Sequence, residues 1–150
     1  MIFEKFTNGQ SQSVGAELEL RLLCKNDLSL KNEFSYIYNC INKEYKNNLA
    51  SEFLASMIEI NSPVCKTSNE ITTYFKNCVE KIDKCAQEKD IVIGTSGAYC
   101  LKNEDISISN NERYKKLFDE HKVLLDDFHI CGLHVHIGFE NFDEALKAFN

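Results

Sequence analysis

Glu17 and Glu19 stand two apart in the run V-G-A-E-L-E-L-R-L-L that begins at Val14. In an extended strand, residues i and i+2 share a face about 7 Å apart, so both carboxylates face one way while Leu18 and Leu20 face the other. Paired carboxylates can grip a hard cation such as Mg²⁺ or Mn²⁺, which prefers oxygen ligands. The solvated face of an antiparallel sheet shows the same spacing. His134 and His136 repeat the arrangement in C-G-L-H-V-H-I-G, where Gly132 and Gly138 leave room for a ligand to approach closely. Such a His-x-His strand can bind zinc, and two polar residues on a wet strand face read the same way. Glu59 interrupts the apolar run M-I-E-I just before Asn61, Pro63 and Cys65. A carboxylate there needs water, donors or a cation. Glu52 lies seven residues before Glu59. In one straight strand that odd separation puts the two on opposite faces. They address one site only if the chain bends between them, or if its first half is not strand.

The elements that must hold these groups follow from hydrophobic periodicity. Strict alternation opens the segment 14–23 and predicts a strand. Phe34, Ile37, Tyr38, Ile41 and Tyr45 recur at helical spacing and predict a helix over about 32–46. Residues 57–60 predict a strand closed by Pro63, while 49–56 could pass for a helix. Thr67 and Glu70 have capping-box spacing, and Ile71, Phe75, Cys78, Ile82 and Cys85 form the stripe of the helix that follows. D-I-V-I-G-T at 90–95 predicts a short buried strand ending at a glycine, followed by a polar loop to about Asn111. Tyr114, Leu117, Phe118, His121, Leu124 and Leu125 mark another helix, 131–138 a further strand, and Asn141 with Glu144 the cap of a last helix. Three carboxylate segments and one imidazole segment thus lie on separate elements that could converge on one sheet face. The expected class is α+β, an antiparallel sheet with helices on one side. Ala145, Leu146 and Phe149 on the last helix need a surface to pack against. The single domain 1–150 is therefore expected to be the N-terminal portion of a longer catalytic domain.

Composition narrows the choice of partners. The 150 residues have room for one domain and one core, and an apolar fraction of 43% lies in the ordinary globular range. A formal net charge of −6 and the lack of a dense Lys/Arg stripe exclude nucleic acid as the main partner. No apolar run is long enough to span a bilayer, and the start M-I-F-E-K lacks the apolar core of a signal peptide. No membrane partner is expected, and the expected location is cytoplasmic. The seven cysteines, odd in number and without a Cys-x-x-Cys pair, read as small buried hydrophobes in a reducing compartment. An open sheet edge and an uncovered last helix favour self-association into a homo-oligomer.

The segments S-V-G-A-E-L-E-L, S-E-F-L-A-S-M-I-E-I-N-S-P-V-C and G-L-H-V-H-I-G occur in that order. Together, over about 14–138, they resemble the glutamate–cysteine ligases and their carboxylate–amine ligase relatives. The resemblance implies a fold like the catalytic half of glutamine synthetase, with an antiparallel sheet curved around an ATP and metal site. It implies that Glu17, Glu19, Glu52 and Glu59 ligate Mg²⁺ (or Mn²⁺), that His134 is an imidazole ligand, and that His136 lies against phosphate or nucleotide. Glu52 and Glu59 face one site in that family, which accounts for their odd spacing. Arg113-Tyr114 resembles an Arg-Tyr pair of the family, so Arg113 would contact an anionic substrate; a surface arginine at a helix N-terminus is the plainer alternative.

The implied substrates are small molecules, ATP and amino acids. ATP phosphorylates a glutamate-like carboxylate, and the amine of cysteine or another amino acid attacks the acyl phosphate to form an amide. Two departures stand out. Ser96-Gly97 follows the short strand where relatives often carry His-Pro, and relatives are much longer, so the chain by itself is expected to be inactive. Two other classes compete. A His-x-His metal hydrolase or cupin-like enzyme, using zinc or iron, leaves Glu17, Glu19 and Glu59 unexplained and lacks further N or S ligands at suitable spacing. A truncated, non-catalytic nucleotide-binding relative is the third. Metal preference separates the first two.

Overall fold

The alternation in the first motif draws out one long strand, β1 (Val14–Cys24), and the sheet is organised around it. The computed structural model describes residues 13–99, 107–125 and 130–150. Along one edge, β1 pairs with β3 (Met57–Asn61), which in turn pairs with the short β2 (Leu49–Ser51). The other edge is shared end to end. Residues 14–18 pair with β5 (Leu133–Ile137) and residues 21–24 with β4 (Ile91–Gly94). All four pairings are antiparallel. The length of β1 is what lets two short strands occupy one edge.

Even-numbered residues of β1 turn to the main core. Leu20, Leu22, Leu49, Ile58, Ile60 and Ile91 are buried there. They pack against Ile37 of α1 (Phe34–Cys40), Tyr45 of α2 (Lys43–Lys46), and Cys78, Ile82 and Ala86 of α3 (Ser68–Gln87). Each fully buried aliphatic side chain contributes about 1.5–3 kcal/mol, so this layer is the main source of stability. The predicted cap starts α3: Thr67 Oγ1 accepts from the Glu70 N–H at 3.3 Å, while the Glu70 carboxylate reaches one residue past the N-cap and accepts from the Lys66 N–H at 3.0 Å. On the other side of the sheet, Phe53, Leu54 and Met57 form a smaller cluster with Tyr114 and Phe118 of α4 (Glu112–Leu125). Alternation explains this: Met57 precedes Ile58, so it faces away from the main core.

Three expectations are refined or corrected. The helix predicted over 32–46 is two helices, because Ile41 is extended (φ −69°, ψ 149°) and Asn42 stands in the N-cap of α2. Ile41 and Tyr45 are nonetheless both buried, so the break preserves the apolar stripe that suggested one helix. The segment 49–56 is β2 followed by a tight return into β3. The cysteines are not all thiols: Cys40 and Cys85 form a disulfide, with Cα atoms 6.0 Å apart, between α1 and α3. A sequence separation of 45 hid that pair, which helix packing brings together. Cys65 and Cys78 are free and buried as expected, Cys24 and Cys131 are free but only half-buried, and Cys100 and part of the polar loop before Asn111 lie outside the described residues. The predicted cap of α5 (Phe142–Phe149) is present, with Asn141 Oδ1 accepting from the Glu144 N–H at 3.0 Å. No residue of α5 is buried. Among the described residues no helix is long and apolar enough to cross a membrane.

Candidate metal centre

The antiparallel registers decide which acidic groups meet. Glu19 lies directly opposite Glu59, and Glu59 directly opposite Ala50. Opposed residues share a face, so Glu52, two beyond Ala50, returns to the face of Glu59 just past the end of β2. Facing residues across this turn differ by an odd number, so the seven-residue separation that would divide one strand unites a hairpin. One oxygen each from Glu19, Glu52 and Glu59 lies within 4.8 Å of the other two.

Neighbouring donors orient the trio. The Gly132 N–H donates to Glu19 Oε2 at 2.7 Å, and Asn61 Nδ2 donates to Glu59 Oε1 at 2.7 Å. The Phe53 N–H donates to the Glu52 carboxylate. Burial pushes the Glu59 carboxyl above the ordinary carboxylate range; the Asn61 bond opposes this, and the charges of Glu17, Glu52 and Glu19 reinforce it. Carboxylates held together against their repulsion are what a divalent cation relieves.

Glu17 continues the same face of β1 and meets the histidine strand. It lies opposite His134, and His136 lies opposite Gly15. His134 Nδ1 is 3.2 Å from Glu17 Oε2, and His136 Nε2 is 3.2 Å from Oε1, so two imidazoles clasp one carboxylate. The histidines are exposed (57% and 63%), open to a ligand from solvent. A cavity of about 250 Å³ is lined by Glu19, Glu52, Phe53, Met57, Ile130, Gly132 and His134. Gly132 keeps the space beside the imidazole open, because a Cβ there would lie 3.0 Å from His134 Nε2.

Arg113 is exposed in the first turn of α4, its N–H bonded to Asn111 Oδ1 at 2.9 Å. No described contact joins its side chain to the carboxylates. Its neighbour Tyr114 is the member of that pair at the rim: it packs edge-on against Phe53 (5.9 Å, 88°) beside Glu52. Burial, with the Glu52 charge adding, pushes its hydroxyl up to about 12. Sequence reasoning passed over Tyr114, Asn61 and the Gly132 N–H as site groups. Asn61 was detectable as i+2 from Glu59 on a strand, whereas a backbone donor leaves no residue signal. Among the described residues, the three-ligand grouping within metal-binding range is this all-carboxylate one. Oxygen-only donors suit Mg²⁺ or Mn²⁺ better than zinc.

Comparison with known proteins identifies the family and the fold. The profile of glutamate–cysteine ligase family 2 matches residues 13–150. The chain belongs to glutamate–cysteine ligase family 2. A provisionally named glutamate–cysteine ligase 2 of Ralstonia pickettii is 29% identical over 148 residues, covering 97% of this chain and 39% of that protein. A counterpart from Saccharopolyspora erythraea is 28% identical over 102 residues, 68% of this chain and 26% of its own length. The chain thus spans two-fifths or less of these family 2 relatives. Glutamate–cysteine ligase from Francisella tularensis, solved in complex with AMP, superposes with a TM-score of 0.64 at 12% identity, over 96% of this chain and 30% of that one. A bifunctional glutathione synthetase from Pasteurella multocida gives 0.62 at 17% identity, over 93% and 18%. The family 2 chain therefore shares with these ligases its fold, an antiparallel sheet with helices.

Proposed function

We propose that this chain forms the cation- and nucleotide-facing part of an ATP- and Mg²⁺-dependent ligase that joins a glutamate-like carboxylate to the amine of cysteine or another amino acid. The observation that carries this reading is the convergence of Glu19, Glu52 and Glu59 on one sheet face in a family 2 chain. The all-oxygen donor set fits Mg²⁺ or Mn²⁺, and such a cation, when bound, neutralises phosphate oxygens during phosphoryl transfer. Glu19, Glu52 and Glu59 would hold it, with Gly132 and Asn61 fixing two of the carboxylates. His134 and His136 clasp Glu17 on the same face, where it would serve as a further ligand, and the exposed His136 would be available to a nucleotide phosphate. Arg113 stands at the solvent side, available to an anionic substrate.

The reaction balances in two steps. A substrate carboxylate oxygen takes the γ-phosphoryl group and ADP leaves; the amine nitrogen then attacks the acyl carbon and inorganic phosphate departs. Phosphoryl transfer asks for positioning and charge neutralisation rather than a protein nucleophile. The cysteines therefore have no part in it.

Calorimetric titration of a non-hydrolysable ATP analogue into the chain, in EDTA, Mg²⁺, Mn²⁺ or Zn²⁺, tests the site. Hydroxylamine trapping of acyl phosphate tests the chemistry in a family 2 protein of full relative length carrying this segment. Binding that needs Mg²⁺ or Mn²⁺, is lost in Glu59→Gln, and accompanies hydroxamate formation supports the ligase. Zinc binding indifferent to nucleotide and to Glu59 would replace it with a hydrolase.

A further inference from the structure

Arg21 follows Glu17 and Glu19 at the next same-face position of β1, and it is 1% exposed. A buried guanidinium ordinarily pairs with a carboxylate, yet no ion pair joins Arg21 to any described acidic residue, although Glu19 stands two residues before it on the same strand face. Its Nη2 donates instead to the Ile130 carbonyl at 3.1 Å. Its charged carbon lies 5.5 Å from the centre of the Tyr99 ring. Among the described residues Nε and Nη1 find no hydrogen-bond partner, and the Cys131 side chain lies beside the guanidinium. Burying a charge in this half-satisfied state is costly, and an apolar side chain of similar size would be the more stable occupant. The arginine therefore needs a reason other than stability.

Its hydrogen bond to the Ile130 carbonyl supplies it. Ile130 opens the segment leading into β5; the Cys131 N–H is held by the Gly97 carbonyl at 2.9 Å, and the Gly132 N–H holds Glu19 Oε2 at 2.7 Å. The Glu19 N–H closes the loop onto the Gly132 carbonyl at 3.1 Å. We propose that Arg21 is a positioning residue for the carboxylate trio: by fixing the Ile130 carbonyl it sets the Gly132 N–H that aims Glu19 at Glu52 and Glu59. This rests on the reading of the trio as a cation site. It also predicts a sign. A positive charge acting only through space would weaken cation binding, so its removal would tighten it. A positioning arginine does the reverse.

The test compares the wild-type chain with Arg21→Met, Arg21→Gln and Arg21→Lys. Free Mn²⁺ is followed by electron paramagnetic resonance, and the Gly132 amide by NMR in EDTA. The short bond to a carboxylate places that amide proton downfield and protects it from exchange. We expect Arg21→Met to melt no lower than wild type in EDTA, to shift the Gly132 amide upfield, and to bind Mn²⁺ about tenfold more weakly. Arg21→Lys, which keeps charge and donor, recovers part of both signals; Arg21→Gln, which keeps a donor without the charge, retains the amide signal better than Arg21→Met. Unchanged Gly132 resonances, or tighter Mn²⁺ binding in Arg21→Met, overturn the proposal. So does failure of all three variants to fold, which makes the arginine structural. Should the wild-type chain bind no Mn²⁺, the cation-site reading fails, while the Gly132 amide in EDTA still decides the role of Arg21.

Discussion

Replacing Glu59 by glutamine should raise the stability of the metal-free chain and abolish its response to Mg²⁺. One Glu59 oxygen lies within 4.8 Å of oxygens of both Glu19 and Glu52. Two unit charges at that distance repel by about 1 kcal/mol in bulk water and about 3.5 kcal/mol at an effective dielectric of 20. The carboxylates are half-buried and open to solvent on one side, so the lower figure governs and lifting two repulsions gives about 2 kcal/mol. The Asn61 bond survives, because glutamine also offers an acceptor, but loses its charge, which offsets about 1 kcal/mol. The net gain is about 1 kcal/mol, or roughly 2–4 °C in melting temperature for a chain of this size. For the wild type, Mg²⁺ at a hundred times its dissociation constant adds about 2.7 kcal/mol. Thermal melts in EDTA and in graded Mg²⁺ should therefore cross: the variant melts higher without metal and lower with it. A variant that melts lower in EDTA and keeps its Mg²⁺ shift refutes the account of Glu59 as a strained ligand.

Other outcomes follow from the same structure. Gly132→Ala places a methyl group 3.0 Å from His134 Nε2; the exposed imidazole gives way, so stability should fall by under about 1 kcal/mol while the Mg²⁺-dependent melting shift shrinks. Burial raises Cys78 from 9.0 to about 11 and Tyr74 from 10.0 to about 12, so the folded chain holds protons that the unfolded chain releases earlier. That stability is fully present below pH 9 and is lost as pH rises towards 12, so urea midpoints should hold level from pH 8 to 9 and decline from there to pH 11. Glu59 has the opposite consequence for cations: its raised carboxyl lets protons compete with Mn²⁺ at higher pH than at an ordinary carboxylate, so binding should weaken early as pH falls. Reducing Cys40–Cys85, which bridges a separation of 45 residues, should lower the melting temperature, with a chain-entropy ceiling of about 4 kcal/mol.

Period-two alternation in 14–23 and 131–138 marked β1 and β5 because a half-buried strand must present alternate residues to the core, and the capping residues marked the starts of α3 and α5 because helix N–H groups need acceptors. The Cys40–Cys85 pair was not visible, since it depends on how α1 lies on α3 rather than on local preference, and the break at Ile41 was masked by an apolar stripe that continues through both helices. At the site, the sequence alone determined which groups exist: four glutamates and two histidines at spacings that could share a face, in a family-like order. Whether they met was a tertiary question. The β2–β3 hairpin turned an unfavourable odd spacing into a shared face for Glu52 and Glu59, and the pairing of β5 with the first half of β1 brought His134 to Glu17 across 117 residues. Register across strands is set by turn geometry and by which face must be buried, and neither is written in the separation of two residues along the chain.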